Sequence, residues 1–485
     1  MQSPHMNIMK TIKHIKMKSY IYSFFIILLL GSYGCSIPRS VINPIRDTPS
    51  QYRGLANTDT LSIGKLPIKE FFANQSIQQL IDSAIERNID LQIAVKNIDA
   101  ANLLLKRARM GNLPQLNLQI TANSNRPSEN SLNGISASQF LKTSHIEDYN
   151  ANLALSWEAD IWGKIGKQKE AAYATYLQTE EARKAVQTRV VAMVANGFYQ
   201  LLLLDAQLDI ANKNLKLTDS TLKMVSKQFD AGQVTSLAVQ QTEVQLLRAS
   251  QLIPQITQAI NIQENALSEL TGRFPTAIER KATLAQLDIP AQLAVGVPAT
   301  MLAVRPDVKS VELGLRIADA KVGVANASMY PSLTITASGG VNSFKASNWF
   351  NIPASLFGVV GAGIVQPIFN RKELKTQFEL AKVEREKSVL LFRQSVIQAV
   401  VEVSNEQSKL ENLKKEFGIA QNRVKTLKSA VKNADLLFKS GMANYLEVIT
   451  AQSNLLQGEL DLASLKTAQL NASVELYRAL GGGWN

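Results

Sequence analysis

The 485-residue chain states one pattern twice. Asp90, Ala101, Ala108, Pro114 and Leu116 return 217 residues later as Asp307, Ala318, Ala325, Pro331 and Leu333. Further on, Phe229, Gly232, Leu237 and Val239 return as Phe438, Gly441, Leu446 and Val448, now at an offset of 209. Each copy reads as short helices, a strand, a polar loop, a strand, a long helix, a glycine-marked turn and a return helix. A unit this long, repeated once, is no short-period solenoid. It predicts two similar halves related by pseudo-symmetry, and at this length a single compact core is disfavoured.

The strands carry the clearest pattern. Leu116, Leu118 and Ile120 alternate with Gln115, Asn117, Gln119 and Thr121. In the second copy Leu333, Ile335, Ala337 and Val341 alternate with Ser332, Thr334, Thr336, Ser338 and Asn342. Period-two alternation of this kind predicts strand rather than helix. Partner strands are expected at residues 152–157, with Leu153, Leu155 and Trp157 on one face, and at about residues 358–366. An aliphatic face opposite a face of Gln, Asn, Thr and Ser fits two settings: a surface sheet on a core, or a membrane barrel with lipid outside and water inside. The loops favour the barrel. Residues 123–149 form a long Ser-, Asn- and Gln-rich connection, and residues 342–356 carry Phe344, Trp349 and Phe350, suited to a membrane interface. Four strands leave two open edges, which hydrocarbon does not tolerate. Several chains must then share one barrel, and three would supply twelve strands.

Between Pro127 and Pro254, and after Pro367, there is no proline. Residues 163–230 and 370–440 are helix-forming throughout, with apolar residues at three- and four-residue steps. About 65 residues at ~1.5 Å each span on the order of 100 Å, which indicates coiled coil rather than a compact domain. Each long helix stops at a glycine, Gly232 or Gly441, and an apolar-patterned helix returns. Two antiparallel hairpins result. On periodicity alone they also fit a structural coiled coil.

Three histidines and one cysteine restrict the chemistry. His5 and His14 precede residue 35, which leaves only His145, in a polar loop. Neither a histidine-based triad nor a His-rich metal site can be assembled. Gly358, Gly361 and Gly363 sit in a predicted strand and suit a crowded sheet better than a dinucleotide loop. Paired acids such as Glu180–Glu181 read as helix surface. Catalysis, metal and cofactor are therefore not expected. The net charge of +12 includes four lysines ahead of residue 20 and falls to about +8 without them. No basic cluster with interleaved aromatics stands out, so nucleic acid is not an expected partner. The remaining charge reads as spread along solvated helix faces.

Lys10, Lys13, Lys16 and Lys18 precede an apolar run at residues 21–30 and then Gly31-Ser32-Tyr33-Gly34-Cys35. This is the order of a secretory signal peptide, too short for a spanning helix of about 20 residues. Translation can start at Met1, Met6, Met9 or Met17. The stretch before Cys35 resembles a bacterial lipobox, although Ser32 and Tyr33 depart from it. An ordinary signal peptide with an incidental cysteine is the alternative.

Across the whole mature chain the residues resemble the TolC-like outer-membrane efflux channels, of the lipid-anchored OprM/NodT type. The segments that carry the resemblance are Phe71-Phe72, Leu80-Ile81, Asn88-x-Asp90-Leu91, Leu270-Thr271-Gly272, Gly296-Val297-Pro298 and Arg305-Pro306-Asp307-Val308. They continue with Tyr330-Pro331-Ser332-Leu333, Gln366-Pro367-Ile368-Phe369 and Tyr477-Arg478-Ala479-Leu480-Gly481-Gly482-Gly483-Trp484. The resemblance implies a mainly α protein whose long helical barrel continues a transmembrane β-barrel, with four strands per chain and twelve in a homotrimer. Its implied partners are outer-membrane lipids, a periplasmic adaptor and an inner-membrane RND-type pump. It implies a diacylglycerol and palmitoyl anchor on Cys35, and no catalysis. The expected division is a signal peptide (1–34), an anchored linker (35–75), the first copy (76–272), an equatorial inter-copy segment (273–300), the second copy (301–480) and a tail (481–485).

In such channels the narrowest point follows the second hairpin turn. By this resemblance Leu446, Glu447 and Thr450 fall at the periplasmic aperture, Thr450 standing where relatives often carry Asp. Glu447 on a merely solvated face is the alternative. Gly232, Val234, Thr235, Leu237, Gly441, Ala443, Asn444 and Leu446 occupy the tips where an adaptor would dock; turning the chain is their minimal role. Ala238 in the first tip corresponds to Glu447 in the second, which marks that difference as a candidate gate. Two further functions are weighed: a conduit for type I protein secretion, and a periplasmic coiled-coil adaptor without a pore.

Overall fold

Asparagine caps start the first copy. Asn74 accepts hydrogen bonds from the backbone N–H of Ser76 and Ile77 and opens α1, Gln75–Arg87. Asn88 caps α2, Ile89–Arg109, through the Leu91 N–H, and its amide donates to the Leu270 carbonyl at 2.9 Å. A pair of strands follows, β1 (Gln115–Asn125) and β2 (Ile146–Ala159). Then come α3, Lys164–Asp230, and the return helix α4, Ser236–Leu270. The second copy repeats this with α5 (Pro306–Ala327), β3 (Ser332–Ser343), β4 (Leu356–Val365), α6 (Glu373–Lys439) and α7 (Tyr445–Ala479). The computed structural model describes residues 49–53, 62–288 and 293–485. Cys35 and the signal peptide lie outside the described residues.

The copies match in length where they must run side by side. Helices α3 and α6 have 67 residues each, and α4 and α7 have 35 each. The change of offset from 217 to 209 comes from the loops joining the strands. Residues 126–145 make the first loop and residues 344–355 the second, which is eight shorter. Thus the repeat is strict in its long elements and free at the loop end.

The four strands form one antiparallel sheet in the order β1-β2-β3-β4. Strand β2 is much longer than residues 152–157; Glu147, Asp148 and Asn150 near its start hide the alternation in the sequence. The predicted loop at 123–149 shortens accordingly and holds a helical turn at Leu132–Ser136.

The helices lie alongside one another rather than around one ball-like core. Near the sheet the order is α2-α3-α5-α6, and toward the tips it is α4-α3-α7-α6. The largest apolar cluster sits midway. It joins Val190, Val191, Val194 and Phe198 of α3 to Val396, Ala399 and Val403 of α6, and to Leu476 and Tyr477 of α7. The apolar window in α3 is long enough to cross a membrane by composition but mostly buried here, so it belongs to this core. Tyr477 stacks on Phe71 at 4.0 Å, and its hydroxyl donates to the Leu66 carbonyl at 2.7 Å. Gly482 has no room for a side chain, since a Cβ would lie 2.3 Å from the Tyr477 ring.

Candidate channel wall and hairpin-tip site

The strand register sorts side chains into two faces. Leu116, Leu118 and Ile120 of β1 stand opposite Leu155, Leu153 and Ala151 of β2. Those in turn oppose Ala337, Gly339 and Val341 of β3, whose partners on β4 are Val360, Gly358 and Leu356. One apolar face therefore runs unbroken across four strands. The other face holds Gln115, Asn117, Gln119 and Thr121, then Asn150, Asn152 and Ser156, then Thr334, Thr336 and Ser338. Only β4 breaks the rule, with Phe357, Val359 and Val365 on this side. Leu118 is 66% exposed and Val360 83% exposed, so among the described residues none covers the apolar face there. An 11-residue strand at ~3.3 Å per residue, tilted by ~40°, rises about 28 Å. That matches a hydrocarbon layer of about 30 Å.

Aromatic residues mark both ends of this band. At the loop end Tyr149, Trp349 and Phe350 form a chain with ring centroids 5.4 and 5.1 Å apart. At the helix end Trp162 stacks on Tyr330 at 4.8 Å and donates to the Pro331 carbonyl, while Trp157 donates to the Asn112 carbonyl. Girdles at both interfaces are a mark of membrane barrels. Trp349 and Phe350 are among the anchors legible in the sequence; Tyr149 is not. The helix-end group was not, because Trp162 and Tyr330 meet only once β2 and β3 pair.

The tips are built by two equivalent turns. Gly232 and Gly441 have φ of +71° and +76°, a region that favours glycine. Thr235 starts α4 without a side-chain cap, whereas Asn444 caps α7, accepting from the N–H groups of Leu446 (2.9 Å) and Glu447 (3.2 Å). An Asn followed three residues later by Glu is the sequence sign of such a start. Between the hairpins Val225, Ala238, Phe438 and Val448 make a small core, with Val234 and Tyr445 against it. Tyr445 donates from α7 to the Gln241 side chain of α4 at 2.6 Å, and Gln452 donates to Thr221 at 2.9 Å.

Leu446, Glu447 and Thr450 share the exposed side of α7, and the Thr450 hydroxyl donates to the Leu446 carbonyl at 2.7 Å. Val448 and Ile449 are buried. The copies part company here: Ala238 is buried in the inter-hairpin core, while its counterpart Glu447 is exposed. A carboxylate at 238 would be desolvated without a partner, whereas at 447 it is solvated at the first turn of a helix, where the dipole favours negative charge. Gly232, Thr235, Leu237, Gly441 and Asn444 are exposed at the tips, and Val234 and Ala443 are half-buried.

An ionic knot holds the equatorial end of the second copy. Arg305 is 4% exposed; it pairs with Asp307 at 2.5 Å and Glu402 at 2.9 Å, and donates to the Ala479 carbonyl. Burial opposes the Asp307 charge, but the hydrogen bond and charge of Arg305 prevail and hold its carboxyl below the ordinary range. Arg280 of the inter-copy segment binds two acids of the first copy, Asp205 at 2.7 Å and Glu264. There burial prevails and raises Asp205. Burial likewise pushes Tyr477 up to about 12.

A bifacial sheet with two free edges, set on duplicated helical hairpins, defines an outer-membrane channel subunit. The outer membrane efflux protein family matches residues 80–273 and 297–482, and the chain belongs to it. The solvent efflux pump outer membrane protein SrpC of Pseudomonas putida is 29% identical over 97% of this chain and 99% of its own length. The probable outer membrane lipoprotein SilC of Salmonella typhimurium is 27% identical over 93% of this chain and 96% of its own. The crystal structure of CusC superimposes with a TM-score of 0.79 at 25% identity, covering 93% of this chain and all of that one; a cation efflux protein of that name from Escherichia coli also matches. The mainly α fold with four barrel strands, and the efflux-channel function, agree with the sequence resemblance. This is a family of transport channels rather than enzymes.

Proposed function

We propose that three copies close a twelve-stranded barrel in the outer membrane, continued by a helical duct through the periplasm, and that small molecules leave passively through it. The observation that carries this is the register, which runs one apolar face across all four strands, through Leu356, Val360 and Ile364 on β4, while β1 and β4 each keep a free edge among the described residues. Unpaired backbone is not tolerated in hydrocarbon, so the edges of neighbouring copies pair. Exposed apolar residues on the outermost helices, Ile93 and Leu104 of α2 and Leu390 and Ile397 of α6, support the same contact.

The duct opens at the tips, where Leu446, Glu447 and Thr450 form the aperture. Three Glu447 carboxylates near one axis favour cations. Gly232, Val234, Thr235, Leu237, Gly441, Ala443 and Asn444 present the surface for a periplasmic adaptor, and an RND-type inner-membrane pump supplies the energy. Cys35 carries the lipid anchor, a reading supported by the lipoprotein name of SilC. Relatives named for solvent and for cation efflux share this architecture, so cargo is selected elsewhere in the assembly.

Reconstitution in planar bilayers tests the proposal. Purified protein is expected to give discrete cation-preferring conductance, and Glu447→Gln is expected to shift the reversal potential in a salt gradient toward zero. An unchanged potential would move the aperture to other residues; no conductance at all would remove the duct.

A further inference from the structure

Two basic triplets flank the sheet where it meets the helices. Lys106, Arg107 and Arg109 lie in the last turn of α2, just before β1. Arg371, Lys372 and Lys375 surround the start of α6, just after β4. All six are exposed, and none is ion-paired among the described residues. Residues 100–114 contain no acid, and residues 366–377 contain only Glu373. Unpaired basic charge is thus dense at this level, where Glu158 of β2 is already bound to Lys164 at 2.9 Å and Asp160 accepts from the backbone N–H of Ile165 and Gly166.

The backbone at the second triplet is costly. Arg371 and Lys372 have φ of +55° and +62°, in the left-handed region that side-chain-bearing residues avoid. In the first copy Gly163, the counterpart of Lys372, adopts +73° freely. Strain of this sort persists where the position has a use. The same level carries the Trp157, Trp162 and Tyr330 girdle and the bare side chains of Ile368 (92% exposed) and Phe369 (88% exposed). It is the depth at which a membrane's phosphates meet the protein.

In the closed ring β4 of one copy lies beside β1 of the next, so the start of α6 meets the neighbour's α2 end. Six cations without an ion-pair partner then converge at each boundary against the one carboxylate of Glu373, an excess that repels unless a further anion enters. We propose that the phosphate headgroups of anionic phospholipids in the inner leaflet occupy these three boundaries and join the copies. Arginine and lysine together suit phosphate, and juxtamembrane basic clusters attract anionic lipid. The inference rests on the trimer proposed above.

The full-length protein purified in neutral detergent provides the test. The temperature at which its oligomer dissociates is measured with phosphatidylglycerol, phosphatidylcholine or inorganic phosphate added. Phosphatidylglycerol is expected to raise that temperature, phosphatidylcholine to leave it unchanged, and native mass spectrometry to find phosphatidylglycerol retained. Arg107→Gln combined with Lys372→Gln should lose both effects. Lys372→Gly should lower lipid retention although it relieves the backbone, which separates charge from folding. An equal rise with phosphatidylcholine, full replacement by inorganic phosphate, or unaltered retention in the variants overturns the proposal. Protein that stays monomeric under every condition overturns the trimer as well.

Discussion

Arg305 shows what single residues contribute that pattern cannot reveal. As part of Arg305-Pro306-Asp307 it carries part of the family resemblance, but its hold on Glu402 and Ala479 depends on helices far apart in sequence. The Tyr445–Gln241 bond, across 204 positions, was illegible for the same reason. By contrast, the turn glycines and the Asn444 cap follow local rules and could be read directly. Replacing Arg305 by Ala strips three acceptors of a buried cation; because both carboxylates are partly exposed, the loss should be about 3 kcal/mol, seen as a lower denaturant midpoint. The Asp307 carboxyl is held below its ordinary value, so its stabilisation is complete above the unfolded value near ~4 and fades as pH falls through the folded one. Asp307→Asn should flatten the acid limb of a stability profile; an identical limb would dissociate Asp307 from it. Cys35→Ser should abolish palmitate labelling, and persistent labelling would place the lipid elsewhere.

At the scale of elements, the sequence announced the strands whose faces differ and concealed those that do not. β3 alternates cleanly and its bounds are legible in the sequence, and β1 is legible as far as Thr121 although it runs on to Asn125; the start of β2, residues 146–149, reads as loop because Glu147 and Asp148 hide its alternation. The 67-residue helices are legible because no proline interrupts them, whereas α4 runs through Pro254; the equal lengths of 67 and 35 residues keep both tips at one level. Glycine in the sheet has a separate reason. Gly340 faces the β2 backbone, and a Cβ there would lie 2.1 Å from the Ala151 carbonyl oxygen. Gly340→Val should therefore disrupt β2–β3 pairing, at a cost of about 1–3 kcal/mol or more. Its expected sign is loss of heat-modifiable oligomer from outer-membrane fractions, while Gly358→Ala, whose site is open, keeps it.

For the whole molecule, duplication and assembly answer one geometric problem. Two copies supply four strands and two hairpins, and three chains then present twelve strands and six similar hairpins. In the proposed trimer, quasi-sixfold symmetry would let one tube continue from sheet to helices. It is broken where Ala238 is buried and Glu447 exposed, which leaves three acids rather than six near the tips. Open strand edges could be inferred from four strands, but the number of copies could not, because eight strands also close a small barrel. The mass of the detergent-extracted particle, with bound detergent subtracted, decides this. Three chains per particle are predicted; one or two would contradict the twelve-stranded ring and the account built on it.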